Sequence, residues 1–391
     1  MSLTYLPPQK APAALRAGWV MVTPDRIEPN ACLETRDFRV TGLSKSLCEP
    51  KVKDLGPGVL MPLLVNAHTH LELSALKGKL DPSKGFDAWV KQLMAVRQSL
   101  GPAALAAGAL KAIDRMHCLG TGTVADISTL GLTRAALADK GIAGIWFQEV
   151  LGDTLDPGLE EMPEKAMPLS FSLAGHAPHT TSPQVLWQVK TATQRAGLPF
   201  SIHVAESQSE GQFLQGKNRS WEAFLSSRGI DTSGWPLGDK TSVAYLDALG
   251  LLGPDTLGVH LIDTSPEDLD RLADTGTRIC LCPRSNHTLH GRLPDIRAML
   301  DRGMAPALGT DSLASCDSLS LFDEMAFVRA RCPDIDPKTV LKMAGMNGAA
   351  ALGLSSFMGA LDTGYWAGCL YVDLEAASCN DILERLTANE P

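Results

Sequence analysis

The sequence predicts an α/β protein in which a (β/α)8 TIM barrel carries a small discontinuous β-sandwich built from both termini. Three observations support this fold class: short apolar segments alternate with helical patterns, histidines and carboxylates stand at the ends of these segments, and strand patterns occupy both ends of the chain. Alternating strands and helices are typical of a parallel sheet, and eight such repeats close most economically into a barrel. We therefore expect residues 58–357 to form the barrel, and residues 1–57 and 358–391 to form a composite β-sandwich.

The N-terminal segment contains no long helical period, and Ala17–Thr23 and Phe38–Thr41 have the composition of short strands. Near the other end, Gly359–Asp373 returns to strand and turn patterns. We expect Leu370–Asp373 to pair with the N-terminal strands, so that the two ends complete one sandwich.

From Val59 onward the chain alternates between strand and helix patterns. The predicted barrel strands are Leu60–Ala67, Gly122–Ile127, Ala143–Val150, Ser170–Gly175, Pro199–Val204, Thr256–Leu261, Arg278–Cys282 and Ala305–Gly309. The helical patterns include Phe86–Leu100, Ala103–Leu119, Thr133–Lys140, Pro183–Ala196, Ser265–Thr275, Leu293–Arg302, Phe322–Ala330 and Pro337–Leu352. A doubly wound open sheet is the alternative, but neither a Gly-x-Gly-x-x-Gly nor a Gly-x-x-x-x-Gly-Lys-Ser/Thr loop follows any strand.

The composition of the chain limits its partners. A formal net charge of −9 over 391 residues argues against nucleic acid and anionic membranes, which leaves a small-molecule substrate as the expected partner. No apolar run is long enough for a transmembrane helix, and the N-terminus lacks the pattern of a signal peptide. The nine cysteines are scattered without a Cys-x-x-Cys pair, which favours buried free thiols in a reducing cytoplasm.

The first barrel strand ends in His68 and His70. Side chains alternate faces along a strand, so both imidazoles point the same way. Two imidazoles on one face at the end of a buried strand form a ready pair of metal ligands. The alternative interpretation is that both are polar residues of the loop that follows.

Further ionisable residues stand at other strand ends, where the chemistry of a (β/α)8 barrel gathers. These residues are His176 and His179 after the fourth strand, His203 and Glu206 at the fifth, His260 at the sixth and Asp311 at the eighth. Four of these residues have a structural alternative. His176 and His179 could be loop residues, His203 a core histidine and Asp311 a helix N-cap. His117 is expected to be structural. His287 and His290 are expected on a loop after the seventh strand, without an assigned role.

Three imidazoles and one carboxylate suit Zn²⁺, with Fe²⁺ as the alternative, and we expect one ion per chain. Such an ion lowers the pKa of bound water and makes it a nucleophile. Asp311 is placed to accept the water proton, Glu206 to move protons, and His260 to polarise the water or the developing tetrahedral centre.

Several motifs in order along nearly the whole chain resemble the amidohydrolase superfamily. They are Pro62–Glu72 (PLLVNAHTHLE), His203-x-x-Glu206, His260, Cys282–Asn286 (CPRSN) and Gly309–Ser312 (GTDS). No lysine ends the fourth strand, so the pattern is similar to the mononuclear aminohydrolases, which include deaminases and triazine chlorohydrolases. The resemblance implies a metal held by His68, His70, His203 and Asp311. It also implies that Glu206 protonates a ring nitrogen and carries the proton to the leaving ammonia, while His260 orients the water.

More narrowly, Asn66–Ser74, the Phe86-x-x-Trp89-Val90 segment and Gly309–Ser318 resemble the aminodeoxyfutalosine deaminases of the alternative menaquinone pathway. This implies zinc-dependent deamination of 6-amino-6-deoxyfutalosine. It also implies that Glu72 binds the ribose hydroxyls and that Arg284 or Asn286 binds the purine edge or the tail. The segment His176–Ser182 resembles the substrate loop of that family, but His179 stands where a tyrosine is usual.

The sequence is also compatible with other functions. The same nucleophile would serve a deaminase of S-adenosylhomocysteine, methylthioadenosine or another nucleobase, and also a chlorohydrolase. From a different class, the chain would be an inactive barrel that binds a ligand. The resemblance also implies a possible homodimer, since superfamily relatives often form dimers.

Overall fold

The computed structural model describes residues 2–8, 13–45 and 52–390. The strands are β1 (Ser2–Leu6), β2 (Ala14–Arg16), β3 (Trp19–Thr23), β4 (Arg26–Pro29), β5 (Cys32–Arg36), β6 (Arg39–Ser44), β7 (Val52–Asp54), β8 (Val59–Pro62), β9 (Leu64–Thr69), β10 (Thr121–Ser128), β11 (Ala143–Val150), β12 (Leu169–Gly175), β13 (Phe200–Val204), β14 (Thr256–His260), β15 (Arg278–Leu281), β16 (Ala307–Leu308) and β17 (Cys369–Asp373). The α-helices are α1 (Phe86–Cys118), α2 (Arg134–Asp139), α3 (Pro183–Arg195), α4 (Gln208–Leu214), α5 (Arg219–Ser227), α6 (Ser242–Ala248), α7 (Pro266–Asp274), α8 (Pro283–His290), α9 (Ile296–Asp301), α10 (Leu321–Arg331), α11 (Pro337–Met343), α12 (Met346–Ala351) and α13 (Cys379–Ala388).

The eight parallel strands β9 to β16 form the barrel, each hydrogen-bonded to the next in chain order. Closure occurs between the last strand and the first, where Thr69 bridges in parallel to Asp311. The backbone N–H groups of Thr310 and Asp311 both donate to the carbonyl of His68, at 3.0 and 3.1 Å. The predicted (β/α)8 barrel is confirmed, and its seam lies beside the predicted metal ligands.

The predicted first strand, Leu60–Ala67, is two strands. β8 pairs antiparallel with β17, where Cys369 faces Pro62, and parallel with β3. It therefore belongs to the terminal sheet although it falls inside the range expected for the barrel. The barrel strand proper is β9, which extends to Thr69 and contains His68.

Two sheets from the chain termini pack on each other. The five-stranded sheet has the order β1-β17-β8-β3-β4, and the four-stranded sheet the order β6-β5-β2-β7. Leu15 and Leu33 of the smaller sheet share a buried core with Val20, Leu60 and Tyr371 of the larger one. Leu370–Asp373 pairs with β1, as the strand pattern predicted.

The C-terminal segment is only partly sandwich, which corrects the expectation for residues 358–391. Its last helix, α13, packs against α10 and α11 of the barrel. Burial of Ile382, Leu383 and Leu386 on one face of α13 explains this placement.

Some predicted helices differ in detail. α1 joins the two predicted helices across a break at Gly101, where φ is +72° and Pro102 follows. Pro337–Leu352 is split into α11 and α12 at Gly345. The prediction that His287 and His290 lie on a loop is wrong, because Pro283 starts α8, which carries both histidines.

The structure also bears on the predictions for His117, for the cysteines and for membrane-spanning helices. His117 stacks on Tyr5 with ring centroids 4.5 Å apart, in keeping with a structural role. The prediction of uniformly buried free thiols is wrong at Cys118 and Cys379, which are exposed, and at Cys32, which is disulfide-bonded. Cys48 lies outside the described residues. Within the described ranges, no helix combines the length and apolar character needed to cross a membrane.

Candidate metal centre and substrate cavity

Three imidazole nitrogens converge inside the barrel mouth. The Nε2 atom of His203 lies 3.2 Å from Nε2 of His68 and 3.3 Å from Nε2 of His70. All three residues are buried. His70 is the residue directly after β9, and the alternation of side chains brings it to the same side as His68, as predicted.

Hydrogen bonding and burial put these imidazoles in the form that binds metal. Nδ1 of His203 donates to the carbonyl of His176 at 2.7 Å, which leaves the Nε2 lone pair facing the other imidazoles. Burial lowers the pKa of His203, and neighbouring histidines lower it further. Burial and the neighbouring His70 likewise hold the pKa of His68 well below its usual range, so both rings are neutral.

Asp311 completes the cluster from the other side of the barrel seam. Its backbone adopts a φ of +53°, which turns the chain inward directly after β16. The hydroxyls of Ser285 and Ser315 both donate to its Oδ2, the latter at 2.8 Å. Its other oxygen, Oδ1, lies 3.9 Å from Nε2 of His70 and remains available to a cation.

These donors fit a zinc-type ion. Four ligand atoms at about 2.0–2.1 Å from zinc lie about 3.3–3.4 Å from one another in a tetrahedron, close to the observed Nε2 separations. Ligand atoms of His68, His70 and Asp311 all lie within 4.8 Å of one another. Neutral imidazole and carboxylate are the donors that such an ion prefers.

A second group of polar side chains lies beside this cluster. His260, with a φ of +78°, holds its Nδ1 2.8 Å from Oδ1 of Asn286 and its Nε2 3.9 Å from Oε1 of Glu206. Nε2 of His290 lies 3.6 Å from the same Glu206 oxygen. Burial alone would raise the pKa of Glu206, but the attraction of His260 and His290 outweighs it and lowers the pKa. Glu206 is therefore an ionised carboxylate with two imidazoles next to it.

Hydrogen bonds to a buried carboxylate fix the backbone at Glu206. The carboxylate of Glu210 accepts hydrogen bonds from the backbone N–H groups of Ala205 and Glu206, at 2.8 and 3.0 Å. Ala205 has a φ of +53°, so this buried acceptor stabilises an unusual turn at the end of β13.

A cavity of about 430 Å³ opens from the cluster toward the protein surface. Its inner wall contains seven of the predicted residues: His70, His176, His179, His203, Glu206, His260 and Asp311. Its outer walls are apolar and aromatic side chains of α1 and α5. The volume suits a nucleoside-sized ligand.

Three predicted substrate contacts are not met by this arrangement. Glu72 does not line the cavity, because its carboxylate accepts hydrogen bonds from Ser128, Thr129 and Leu130 and holds the loop after β10. Arg284 turns away from the cavity because it pairs with Asp317. Asn286 is buried behind the cavity, where it binds His260.

His176 and His179 do line the cavity. His176 holds Thr180 through Nδ1 at 2.6 Å, and its carbonyl supports His203. Burial lowers the pKa of His179 to about 3, so this ring is neutral at the cavity wall.

Sequence reasoning missed Glu149. This buried carboxylate lies in β11, and its Oε1 is 4.0 Å from Nδ1 of His203. Thr129 donates to its other oxygen at 2.7 Å, whereas Oε1 has no hydrogen-bond partner among the described residues. A single acidic residue next to the end of a largely apolar strand was the signal available in the sequence.

Comparisons with known proteins agree with this geometry. The model of the amidohydrolase family matches residues 59–390. The chain belongs to the amidohydrolase family. Membership, together with relatives that are named as deaminases, confirms the predicted class of enzyme, a hydrolase that acts on carbon–nitrogen bonds.

Two curated relatives have 32% sequence identity to the chain. The alignment with the aminodeoxyfutalosine deaminase of Deinococcus radiodurans is 314 positions long and covers 75% of this chain and 73% of the relative. The alignment with the 5-methylthioadenosine/S-adenosylhomocysteine deaminase of Desulfovibrio desulfuricans is 403 positions long and covers 94% of this chain and 86% of the relative.

A solved structure, the Helicobacter pylori aminofutalosine deaminase in complex with methylthio-coformycin, superposes with a TM-score of 0.83 at 22% identity. It covers 97% of this chain and 96% of its own. An adenosine deaminase from Xanthomonas campestris with bound zinc superposes with a TM-score of 0.80 at 22% identity, over 96% of this chain and 88% of its own. Both structures share the fold of this chain.

Proposed function

We propose that this protein is a metal-dependent aminohydrolase that replaces the 6-amino group of an adenine nucleoside by oxygen and releases ammonia. The observation that carries the proposal is the convergence of three histidine Nε2 atoms and one carboxylate beside Glu206 and His260, at the base of a cavity of about 430 Å³. We propose 6-amino-6-deoxyfutalosine as the substrate, which would place the reaction in the alternative menaquinone pathway.

The metal ligands in this proposal are His68, His70, His203 and Asp311. A zinc ion held there would supply Lewis acidity and lower the pKa of a water molecule to near neutrality. The chain itself supports the ligands, since the His176 carbonyl orients His203 and two serine hydroxyls orient Asp311.

His260 positions the attacking water. Its Nδ1 is engaged by Asn286 at 2.8 Å, so Nε2 is the nitrogen that faces the cavity. The carboxylate of Asp311 accepts the first proton of the water. Water oxygen then bonds to C6 of the purine.

Glu206 carries protons between water, ring and leaving group. It is ionised before the reaction because His260 and His290 lower its pKa, so it must first collect a proton and then deliver it to N1 of the purine. Both protons come from the water: the one that Asp311 accepts passes by way of Glu206 to N1, and the one left on the C6 hydroxyl passes to the amino group as the C6–N bond breaks, so that ammonia leaves. The C6 carbonyl forms and the purine ring is restored.

Support for the substrate comes from the relatives. One relative with 32% identity is named as an aminodeoxyfutalosine deaminase, and a neighbour that superposes with a TM-score of 0.83 is named as an aminofutalosine deaminase. Other relatives are named as deaminases of methylthioadenosine, S-adenosylhomocysteine and 5′-deoxyadenosine. All of these named substrates are adenine nucleosides that differ at the 5′ position.

The experiment is ammonia release by zinc-loaded protein from aminodeoxyfutalosine, S-adenosylhomocysteine, methylthioadenosine, 5′-deoxyadenosine, adenosine, guanine and cytosine. We expect the largest kcat/KM for aminodeoxyfutalosine. Preference for another adenine nucleoside would keep the reaction and discard the substrate. No ammonia from any of them by protein that contains zinc would overturn the proposal, and chloride release from a triazine would then be measured.

The role of Glu206 is tested with Glu206→Gln. We expect kcat to fall by about a thousandfold or more, because the amide cannot take up and deliver the proton. Zinc content by elemental analysis should be unchanged, since Glu206 is outside the proposed ligand set. Glu161→Gln, at an exposed position, is the matched control. Retained turnover in Glu206→Gln would contradict the mechanism.

A further inference from the structure

The outer part of the cavity is a cleft between α1 and α5, which we call the α1–α5 cleft. Leu93 and Met94 of α1 face Phe224 and Leu225 of α5 across it. Lys91 lies 5.9 Å from the ring centroid of Phe224, which places the two helices side by side at this point. The walls of the cleft are therefore apolar and aromatic.

Both helices start close to the metal end of the cavity. Trp221 of α5 donates through Nε1 to the carbonyl of His179 at 3.3 Å. Phe86, the first residue of α1, packs its ring 4.8 Å from that of His290. Successive turns of each helix then carry the cleft outward from the proposed site of chemistry.

One arginine from each side lines the outer part of the cleft. On α1, Arg97 follows Leu93 by four residues, and Arg228 follows Phe224 by the same interval at the end of α5. Residues four apart lie on one helix face, so each guanidinium continues an apolar wall. Eight residues separate Trp89 from Arg97, a helical rise of about 12 Å.

Neither guanidinium has a hydrogen-bond or ion-pair partner among the residues that the structure describes, whereas Arg284, behind the cavity, pairs with Asp317. Arg97 is half-buried and Arg228 is exposed. Two unpaired cations on an apolar cleft are a site for an anion carried on an apolar group.

We infer that the α1–α5 cleft binds the 5′ substituent of the nucleoside, and that this substituent is apolar and ends in a carboxylate held by Arg97 and Arg228. The inference rests on the proposed function, and it deepens that function by selecting among adenine nucleosides.

The positions of the acidic residues in the cavity favour a 5′ substituent that carries only negative charge. Among the described lining residues, the carboxylates are Glu149, Glu206 and Asp311, all at the metal end. An amino-acid tail carries an ammonium group beside its carboxylate, and the cleft offers that group no anionic partner. A neutral methylthio tail would leave both guanidinium groups without a ligand. The carboxylate of aminodeoxyfutalosine, carried on an aromatic ring, matches both features of the cleft.

The test compares two substrates in the zinc-loaded protein: aminodeoxyfutalosine, with a carboxylate tail, and methylthioadenosine, with a neutral tail. The variants are Arg97→Gln, Arg228→Gln and the double variant, with Arg115→Gln as a matched control at an exposed position of α1 outside the cavity. The readout is the ratio of the two kcat/KM values, with kcat and KM measured separately.

We expect each single variant to lower this ratio by about tenfold and the double variant by about a hundredfold, as for the loss of charge-assisted hydrogen bonds. The loss should appear in KM for the carboxylate substrate, and Arg97→Lys should restore part of it. Arg115→Gln should leave the ratio unchanged. Circular dichroism spectra would verify that each variant is folded.

An unchanged ratio in the double variant, with ammonia still released, would overturn the assignment of the cleft and leave the deaminase intact. Equal losses for both substrates would also overturn it, because they would place the arginines in general support of the fold. If the wild-type protein releases ammonia from none of the seven compounds that test the proposed function, the proposed function and this inference both fail.

Discussion

The metal end of the cavity and the α1–α5 cleft are built in opposite ways. At the metal end, side chains come from the ends of strands, and two of the proposed metal ligands have a second partner: His203 has the His176 carbonyl and Asp311 has Ser285. In the cleft, side chains come from helices, and Arg97 and Arg228 have no partner within the described ranges. Groups fixed from two sides suit chemistry, whereas free charged ends on helices suit the selection of a substrate.

The backbone shows the same contrast. Non-glycine residues with positive φ follow or end three barrel strands: Ala205 at +53°, His260 at +78° and Asp311 at +53°. Each costs free energy, and hydrogen bonds such as the one that Glu210 accepts from the backbone N–H of Ala205 hold this geometry in place. α1 and α5 are ordinary helices where they line the cleft. Function at the metal end should therefore be more sensitive to small changes than function in the cleft.

The largest expected effect of such a small change is at Gly309, next to the barrel seam. A Cβ added there would lie 2.7 Å from the His68 carbonyl oxygen and 2.8 Å from the His68 Cβ. Gly309→Ala must therefore displace His68. We expect zinc affinity to fall by about a hundredfold, measured by competition with a chelator, and turnover at limiting zinc to fall with it.

Gly234→Ala is the control for this prediction, because a Cβ at Gly234 meets nothing within 4 Å. If Gly309→Ala binds zinc as tightly as Gly234→Ala, the metal end is less rigid than the comparison requires.

A smaller effect is expected at Asn286, which acts through His260. Asn286→Ala removes the acceptor 2.8 Å from Nδ1 of His260, so the imidazole can turn or change tautomer. We expect kcat to fall by about tenfold to a hundredfold with little change in KM. Asn286→Asp keeps an acceptor oxygen and should restore most of the rate. Equal losses in the two variants would show that the effect is structural.

The last expected effect is on stability rather than on activity, and it arises behind the metal end. Glu324 is fully buried and accepts from the backbone N–H of Arg284 at 3.1 Å. Burial raises its pKa from 4.5 to about 8, although Arg284 opposes the shift. In the unfolded chain Glu324 loses its proton near pH 4.5, whereas in the folded chain it keeps the proton until the pH approaches about 8. The contribution of Glu324 to the free energy of unfolding is therefore fully present below pH 4.5 and is lost as the pH rises to about 8.

Glu324→Gln stays neutral and should not show this loss. Relative to the variant, the wild-type protein should lose roughly 3 kcal/mol in the free energy of unfolding over this pH range. Denaturant unfolding at pH 5, 6.5 and 8 would measure the difference, with Glu161→Gln as an exposed control. Parallel pH profiles for wild type and Glu324→Gln would contradict the assignment.

The sequence by itself determined the barrel, the pairing of Leu370–Asp373 with the N-terminal strands, and the placing of His68, His70, His203 and Asp311 at one mouth. These follow from local rules. A strand has a period of two, and the carboxyl ends of parallel barrel strands meet at one face, so position along the chain is enough to place these side chains.

Tertiary structure alone decided whether Glu72, Arg284 and Asn286 contact a substrate. A polar side chain near the cavity binds either a ligand or another part of the chain, and the sequence does not show which. Glu72 binds the loop after β10, Arg284 forms an ion pair with Asp317, and Asn286 is hydrogen-bonded to His260. The α1–α5 cleft was equally beyond sequence reasoning. Arg97 and Arg228 lie 131 positions apart, and only the packing of helices outside the barrel brings their side chains to the same cavity.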